Sequence, residues 1–180
     1  METWEWVLVA AAVAAAALLL VAFVRIRRRR RHLQERFGPE YYRAVSSSGT
    51  GGAERELIEI EREHEKLAIR QLPSAARDRY LDEWRQAEAR FVSDPREAVH
   101  TAERIVERVL EDRGYPLEDD ADRRAALVGV DHPDVAERYR HGHAMLGSVD
   151  GAESTENLRK AMIDFRTVLE DVLQGVRTAA

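Results

Sequence analysis

Two pairs of residues in this chain carry metal-ligand spacing: Glu61 with His64, and Glu97 with His100. A glutamate and a histidine three apart share one helix face. Two such motifs on facing helices, joined by further inward carboxylates, can hold a pair of metal ions. The same residues also have ordinary uses. Glu97 follows Asp94 at the spacing of a capping-box variant, and His100 falls beside the apolar stripe of its helix rather than within it. His141 and His143 are two apart, so a helix turns them to different faces. The sequence therefore assigns no metal ligand.

Nucleophilic chemistry is no better supplied. The 180 residues include no cysteine, which excludes a thiol nucleophile, a disulfide scaffold, a cysteine zinc finger and an iron–sulfur protein. Of Ser74, Ser93, Ser148 and Ser154, two stand where helices should start, and none lies in a glycine-flanked elbow. No phosphate loop or dinucleotide fingerprint occurs. The sequence assigns no catalytic and no cofactor-binding residue and calls for no cofactor. What remains is recognition chemistry near loops. Arg113, Tyr115 and Arg140 are of the types that dominate protein interfaces and are the expected partner-binding residues, whereas Trp84 and Tyr139 read as core.

The elements that must position these residues read as helical almost throughout. Ala53 to Leu72 carries apolar residues at Leu57, Ile60 and Leu67 and should end at Pro73. Ser74 can cap a helix whose inner face is Ala76, Tyr80, Trp84, Ala87 and Phe91. Asp94-Pro95-Arg96-Glu97 opens the clearest helix, with Val99, Ala102, Ile105, Val106, Val109 and Leu110 inward and Gly114 then Pro116 as the stop. A shorter helix should cover Asp119 to Val128. Asp131-His132-Pro133-Asp134 starts another, with Val135, Tyr139 and Leu146 inward. Gly147 to Gly151 should break the chain before a last helix with Leu158, Met162, Phe165, Leu169, Val172 and Val176 inward. The fold class is all-α: a bundle of five or six antiparallel helices over residues 53–180, with no two-residue alternation that would mark a strand.

Ahead of that body the chain changes character. Trp6 to Val24 holds no charge, proline or glycine, and as a helix would span about 28 Å, close to the ~30 Å hydrocarbon core of a bilayer. This predicts a single transmembrane helix, with Trp4 and Trp6 at one interface. Arg25, Arg27, Arg28, Arg29, Arg30 and Arg31 follow it, the reverse of a cleaved signal peptide, and form a membrane-surface cluster facing anionic headgroups. By the positive-inside rule the N-terminus lies outside and the C-terminal domain in the cytoplasm; the opposite topology would make the protein envelope-facing. Ser46 to Gly52 lacks any apolar side chain and reads as a flexible linker. The expected division is 1–31 as anchor with polybasic flank, 32–52 as juxtamembrane segment and linker, and 53–180 as an acidic helical domain.

Charge follows the same division. Residues 1–36 carry seven arginines and three glutamates, a balance of +4, while residues 37–180 carry 21 basic and 30 acidic groups, a balance of −9. An acidic body lacks the footprint that duplex binding needs, so nucleic acid is not an expected partner. Only Lys66 and Lys160 of the 28 basic residues are lysine, a bias that codon usage in a GC-rich genome accounts for without phosphate recognition.

The segments Arg36-Phe37-Gly38-Pro39-Glu40-Tyr41, Phe91-Val92 with Asp94-Pro95, Arg113-Gly114-Tyr115-Pro116, Val130-Asp131-His132-Pro133 and Tyr139-Arg140 together resemble a family of bacterial single-pass, membrane-anchored proteins. The resemblance covers roughly residues 33–173. It implies a helical domain at a bacterial plasma membrane; as no activity is established for that family, it carries no catalytic residues onto this chain. The functional expectation is a non-enzymatic interaction module with a protein partner. A helical ligand- or metal-sensing domain is the alternative. A homo-oligomer is compatible with either.

Overall fold

The computed structural model describes residues 3–117, 120–147 and 154–175. Among them the fold is all-α: α1 (Thr3–Phe37), α2 (Pro39–His64), α3 (Ser74–Arg90), α4 (Pro95–Arg113), α5 (Ala121–Gly129), α6 (Pro133–Gly147) and α7 (Ser154–Gln174). The expected break at 147–151 falls, after Gly147, outside the described residues, as does Val176.

α4 packs between α3 and α7 and starts and stops where its sequence signals lie. The Asp94 side chain accepts from the backbone N–H of Glu97, Pro95 occupies the first turn, and Gly114 closes the helix in the left-handed region at φ 102°. All six expected inward residues, from Val99 to Leu110, are buried. They form one core with Tyr80, Trp84 and Ala87 of α3, Val135, Tyr139 and Leu146 of α6, and Leu158, Met162, Phe165, Leu169 and Val172 of α7. The four-three spacing of α7 and α4 thus reads directly as burial.

Three expectations about the N-terminal third are corrected. Among the described residues no helix is long and apolar enough to cross a membrane. The expected transmembrane helix over 6–24 includes residues 7–10, whose side chains lie outside the described set.

The second correction concerns the linker. Residues 46–52 are part of α2, with only Gly49 outside helical geometry, at φ 68° and ψ 166°. The hydroxyls of Ser46, Ser47 and Ser48 donate back to the carbonyls of Arg43 and Ala44, so they are satisfied within the helix. Ala44 before the kink and Ala53 after it are both buried in a second core with Leu33 and Phe37 of α1, Tyr41, Leu57 and Ile60 of α2, and Ala126, Leu127 and Val130. The segment is helical because both of its flanks are packed.

The third correction is the end of α2. The helix stops at His64 rather than running to Leu72, and residues 67–73 are non-helical. This stretch lies along the end of α4: the Arg70 N–H donates to the Arg113 carbonyl at 2.9 Å, and the Arg70 side chain donates to the Asp112 carbonyl at 2.6 Å. Tertiary pairing overrides a locally helical sequence.

Gly114 is fixed twice over, by its positive φ and by the chain passing beside it. A Cβ there would lie 2.6 Å from the Ala68 carbonyl oxygen. Gly114→Ala is therefore expected to destabilise the fold by about 2 kcal/mol or more, lowering Tm by several degrees in a thermal melt. An unchanged Tm would show that the close approach of 67–73 to α4 does not exist in solution.

Candidate functional site

The three residues expected to bind a partner are interior. Arg113 is 1 % exposed and Tyr115 2 % exposed, and Arg140 keeps 13 % of its side chain accessible. The expectation of a recognition surface at these positions is corrected: each side chain is turned into the fold and makes its described polar contacts within the chain.

Arg113, at the last position of α4, reaches into the bundle and donates through NH1 to the Val172 carbonyl of α7 and through Nε to the Arg70 carbonyl. NH1 also lies 3.4 Å from Nε2 of His132. The opposite ring nitrogen of His132, Nδ1, meets Asp171 of α7. Burial, first, and the Arg113 charge lower the His132 pKa below its ordinary value, against the pull of Asp171. A neutral ring held this way carries its proton on Nδ1, donates it to Asp171, and offers Nε2 as acceptor to Arg113.

A second set of contacts interlocks with the first through Asp131. Its Oδ2 accepts from the Tyr115 hydroxyl at 2.6 Å and from His64 Nε2, at the end of α2, at 2.8 Å. Burial works to raise the Asp131 pKa, but the hydrogen bonds from His64 and Tyr115 outweigh it, so the carboxyl sits below its ordinary value. Burial and the same Asp131 push the Tyr115 phenol well above its ordinary value. Glu40 and Arg140 form another junction: both guanidinium NH groups of Arg140 reach the two Glu40 oxygens, Arg43 adds a second cation at 2.9 Å, and the Asp122 carboxylate lies 2.7 Å from Arg140 Nε as a further ion pair.

The sequence motifs thus meet in pairs. Arg113 and Tyr115 contact Asp131 and His132, and Glu40 contacts Arg140. The His132 side chain is fully buried, and both of its nitrogens face groups of the chain itself.

Neither Glu-x-x-His pair forms. Glu61 pairs with His32 and Arg36, Glu97 with Arg104, and His64 with Asp131. His100 turns instead toward Glu103, and Glu103 also receives Nδ1 of His143 at 2.9 Å. Glu107, one turn on, is held by Arg124, which also donates to the Tyr139 hydroxyl. Glu103, Glu107 and His143 offer ligand atoms all within 4.8 Å of one another. Burial tends to raise the Glu103 pKa, but His143 and His100 outweigh it and bring it below the ordinary value; burial pushes the Tyr139 phenol up to about 12. The sequence signal for this cluster was present as the spacing of His100, Glu103 and Glu107 on one face of α4. Nothing local linked it to His143.

A cleft of about 660 Å³ opens beside α6 and α7, lined among others by Asp134, Glu137, Arg138, His141, Asp164 and Asp171. His141 and Arg138 both pair there with Asp164. At the other end of the chain, Arg25 and Arg27 to Arg31 are exposed, and Arg30 pairs with Glu54 at 2.8 Å.

No protein-family model, curated protein or solved structure matches this chain.

The depressed His132 pKa has a signed consequence. The unfolded chain takes up this proton near pH 6.5 while the native state resists it, so stability is full above that pH and declines as pH falls through it. The slope from this one group is at most about 1.4 kcal/mol per pH unit. The low Asp131 pKa contributes a further loss only below the ordinary carboxylate range. In thermal melts between pH 7.5 and 5, the Tm advantage of the native chain over His132→Asn is expected to shrink toward acid pH. An advantage that grows would reverse the protonation state assigned here.

Proposed function

We propose that this chain is a non-enzymatic helical interaction module that associates with an anionic membrane surface through its N-terminal helix and offers its acidic body to a protein partner. The observation that carries the reading is the state of α1. Every described side chain from Ala11 to His32 is exposed, apolar up to Val24 and then dominated by six arginines. Among the described residues only Glu54 and Glu61 reach it, by pairing with Arg30 and His32 near its end. Basic residues beside an anionic leaflet contribute about 1 kcal/mol each, and exposed apolar residues next to them add interfacial burial. Such association needs no crossing of the bilayer. The body, at −9 over residues 37–180, is repelled by the same leaflet and so faces away from it. The resemblance of the motifs noted above supports the cytoplasmic face of a bacterial membrane as that surface.

The cleft of about 660 Å³ favours a second reading, a ligand-sensing helical domain. A thermal-shift screen separates the two, because a ligand selective for the native state raises Tm by mass action.

Vesicle binding tests the first reading directly. Trp4 and Trp6 are exposed whereas Trp84 is buried, so a blue shift of tryptophan emission on adding vesicles reports α1. The full chain is expected to bind vesicles containing anionic lipid and to be released by salt. Replacing Arg27, Arg28 and Arg29 by Gln should weaken binding by about 3 kcal/mol, roughly 100-fold. Equal partitioning into zwitterionic and anionic vesicles, or none into either, would overturn the proposal.

A further inference from the structure

The cluster between α4 and α6 supports a site that does not depend on the membrane reading. His100, Glu103 and Glu107 occupy one face of α4 at positions i, i+3 and i+7, and His143 of α6 stands opposite. Glu103 lies between the two rings, 2.9 Å from Nδ1 of His143 and 3.5 Å from Nδ1 of His100. We propose that His100, Glu103, Glu107 and His143 form a binding site for a divalent transition ion of the zinc type, bridging α4 to α6.

The donor set is the first argument. Two imidazoles and two carboxylates suit zinc, which accepts nitrogen and oxygen ligands in a tetrahedral shell, and they suit calcium or magnesium poorly because those ions prefer oxygen alone. Spacing is the second. Ligands of one zinc ion stand roughly 3.4 Å apart when each lies about 2.1 Å from the metal. The atoms of Glu103, Glu107 and His143 are already within 4.8 Å of one another, so small rotations of the two glutamate side chains bring these three onto one ion, and His100, 3.5 Å from Glu103, is the neighbouring fourth donor.

The surroundings supply a third. Glu103 and the rings of His100 and His143 are all part-buried, and Nε2 of His143 is buried with no hydrogen-bond partner. The described polar contact of that ring is therefore made through Nδ1, toward Glu103. Its plane is fixed by edge-on packing against Tyr139 at 4.8 Å and Phe165 at 5.9 Å between centroids. A ligand whose orientation is set by packing loses little freedom on binding.

Arg124 sets the strength. It binds Glu107 through one guanidinium nitrogen, and its charge opposes that of an incoming cation. Affinity in the micromolar range follows, rather than the tighter binding of a closed structural zinc site. The metal replaces protons on the imidazoles, so affinity falls as pH drops below the histidine range.

The test is calorimetric titration of zinc into the full chain, without a histidine tag and after treatment with a chelator. One ion per chain is expected, with a rise in Tm that the chelator reverses. Glu103→Gln and His143→Gln should each weaken binding by about 100-fold, and Glu97→Gln, outside the cluster, should leave it unchanged. If the packed His143 variant fails to fold, Glu103→Gln decides alone. Absence of a binding heat at sub-millimolar zinc, or binding that survives Glu103→Gln, overturns the site.

Discussion

A single buried cation organises this bundle. Arg113 is 1 % exposed, yet its guanidinium reaches a carbonyl of α7, a carbonyl of the stretch between α2 and α3, and the ring of His132 between α5 and α6. A charge withdrawn from water is tolerable only when hydrogen bonds and a counter-charge surround it, and losing one partner of such a group costs about 3–5 kcal/mol. Here the countercharge arrives through a neutral relay: Asp171 holds His132, and His132 holds Arg113. Every element touched by that relay is constrained in rotation and in height. Gly114 then turns the chain so that Tyr115 can reach Asp131, which in turn meets His64 at the end of α2. The arrangement is directional in a way that apolar packing is not, and so it selects one docking of α7 on α4 and of the end of α2 on the connection between α5 and α6.

What the sequence made legible follows from the range of the signal. The cap at Asp94, the stop at Gly114 and the inward faces of α3, α4, α6 and α7 are written within one or two helical turns, and each is present as far as the described residues reach. The end of α2 was not legible, because helical propensity continues past His64 while the deciding contacts come from Arg113 and Asp112, more than forty residues away. The partner-binding assignment of Arg113, Tyr115 and Arg140 failed for a related reason. Residue type suggests interface chemistry, but whether an arginine faces solvent or a buried carbonyl is set by long-range packing. The cluster of Glu103, Glu107 and His143 was half legible: its α4 face could be read, and its α6 member could not.

The Ser/Gly stretch at 46–52 shows how composition misleads when both ends of a segment are packed. Ordering seven residues costs about 7–14 kcal/mol in backbone entropy. Burying Leu33, Phe37, Leu57, Ile60 and Leu127 in the second core contributes about 8–15 kcal/mol, and the helical hydrogen bonds across the stretch add to it. A sequence that would be disordered alone is thereby drawn into a helix, with the strain confined to Gly49, where only glycine adopts the required dihedrals at no steric cost.

This second core also changes what the arginines of α1 can do. Leu33 and Phe37 are buried against α2 and α5, so Arg25 to Arg31, one or two turns earlier on the same helix, are attached to the acidic body by a packed joint and not by a loose tether. Their direction relative to the body is then a property of the fold. In the membrane-surface reading proposed above, binding through these arginines fixes the orientation of the body as well as its location. The −9 body and the +4 N-terminal segment are held apart along one helix, so the electrostatic attraction of the segment and the repulsion of the body by the same leaflet act together as a torque. That torque is largest at low ionic strength and is screened beyond roughly 8 Å at physiological salt, which leaves the rigid joint, and not the long-range field, as the part of the design that holds orientation in the cell.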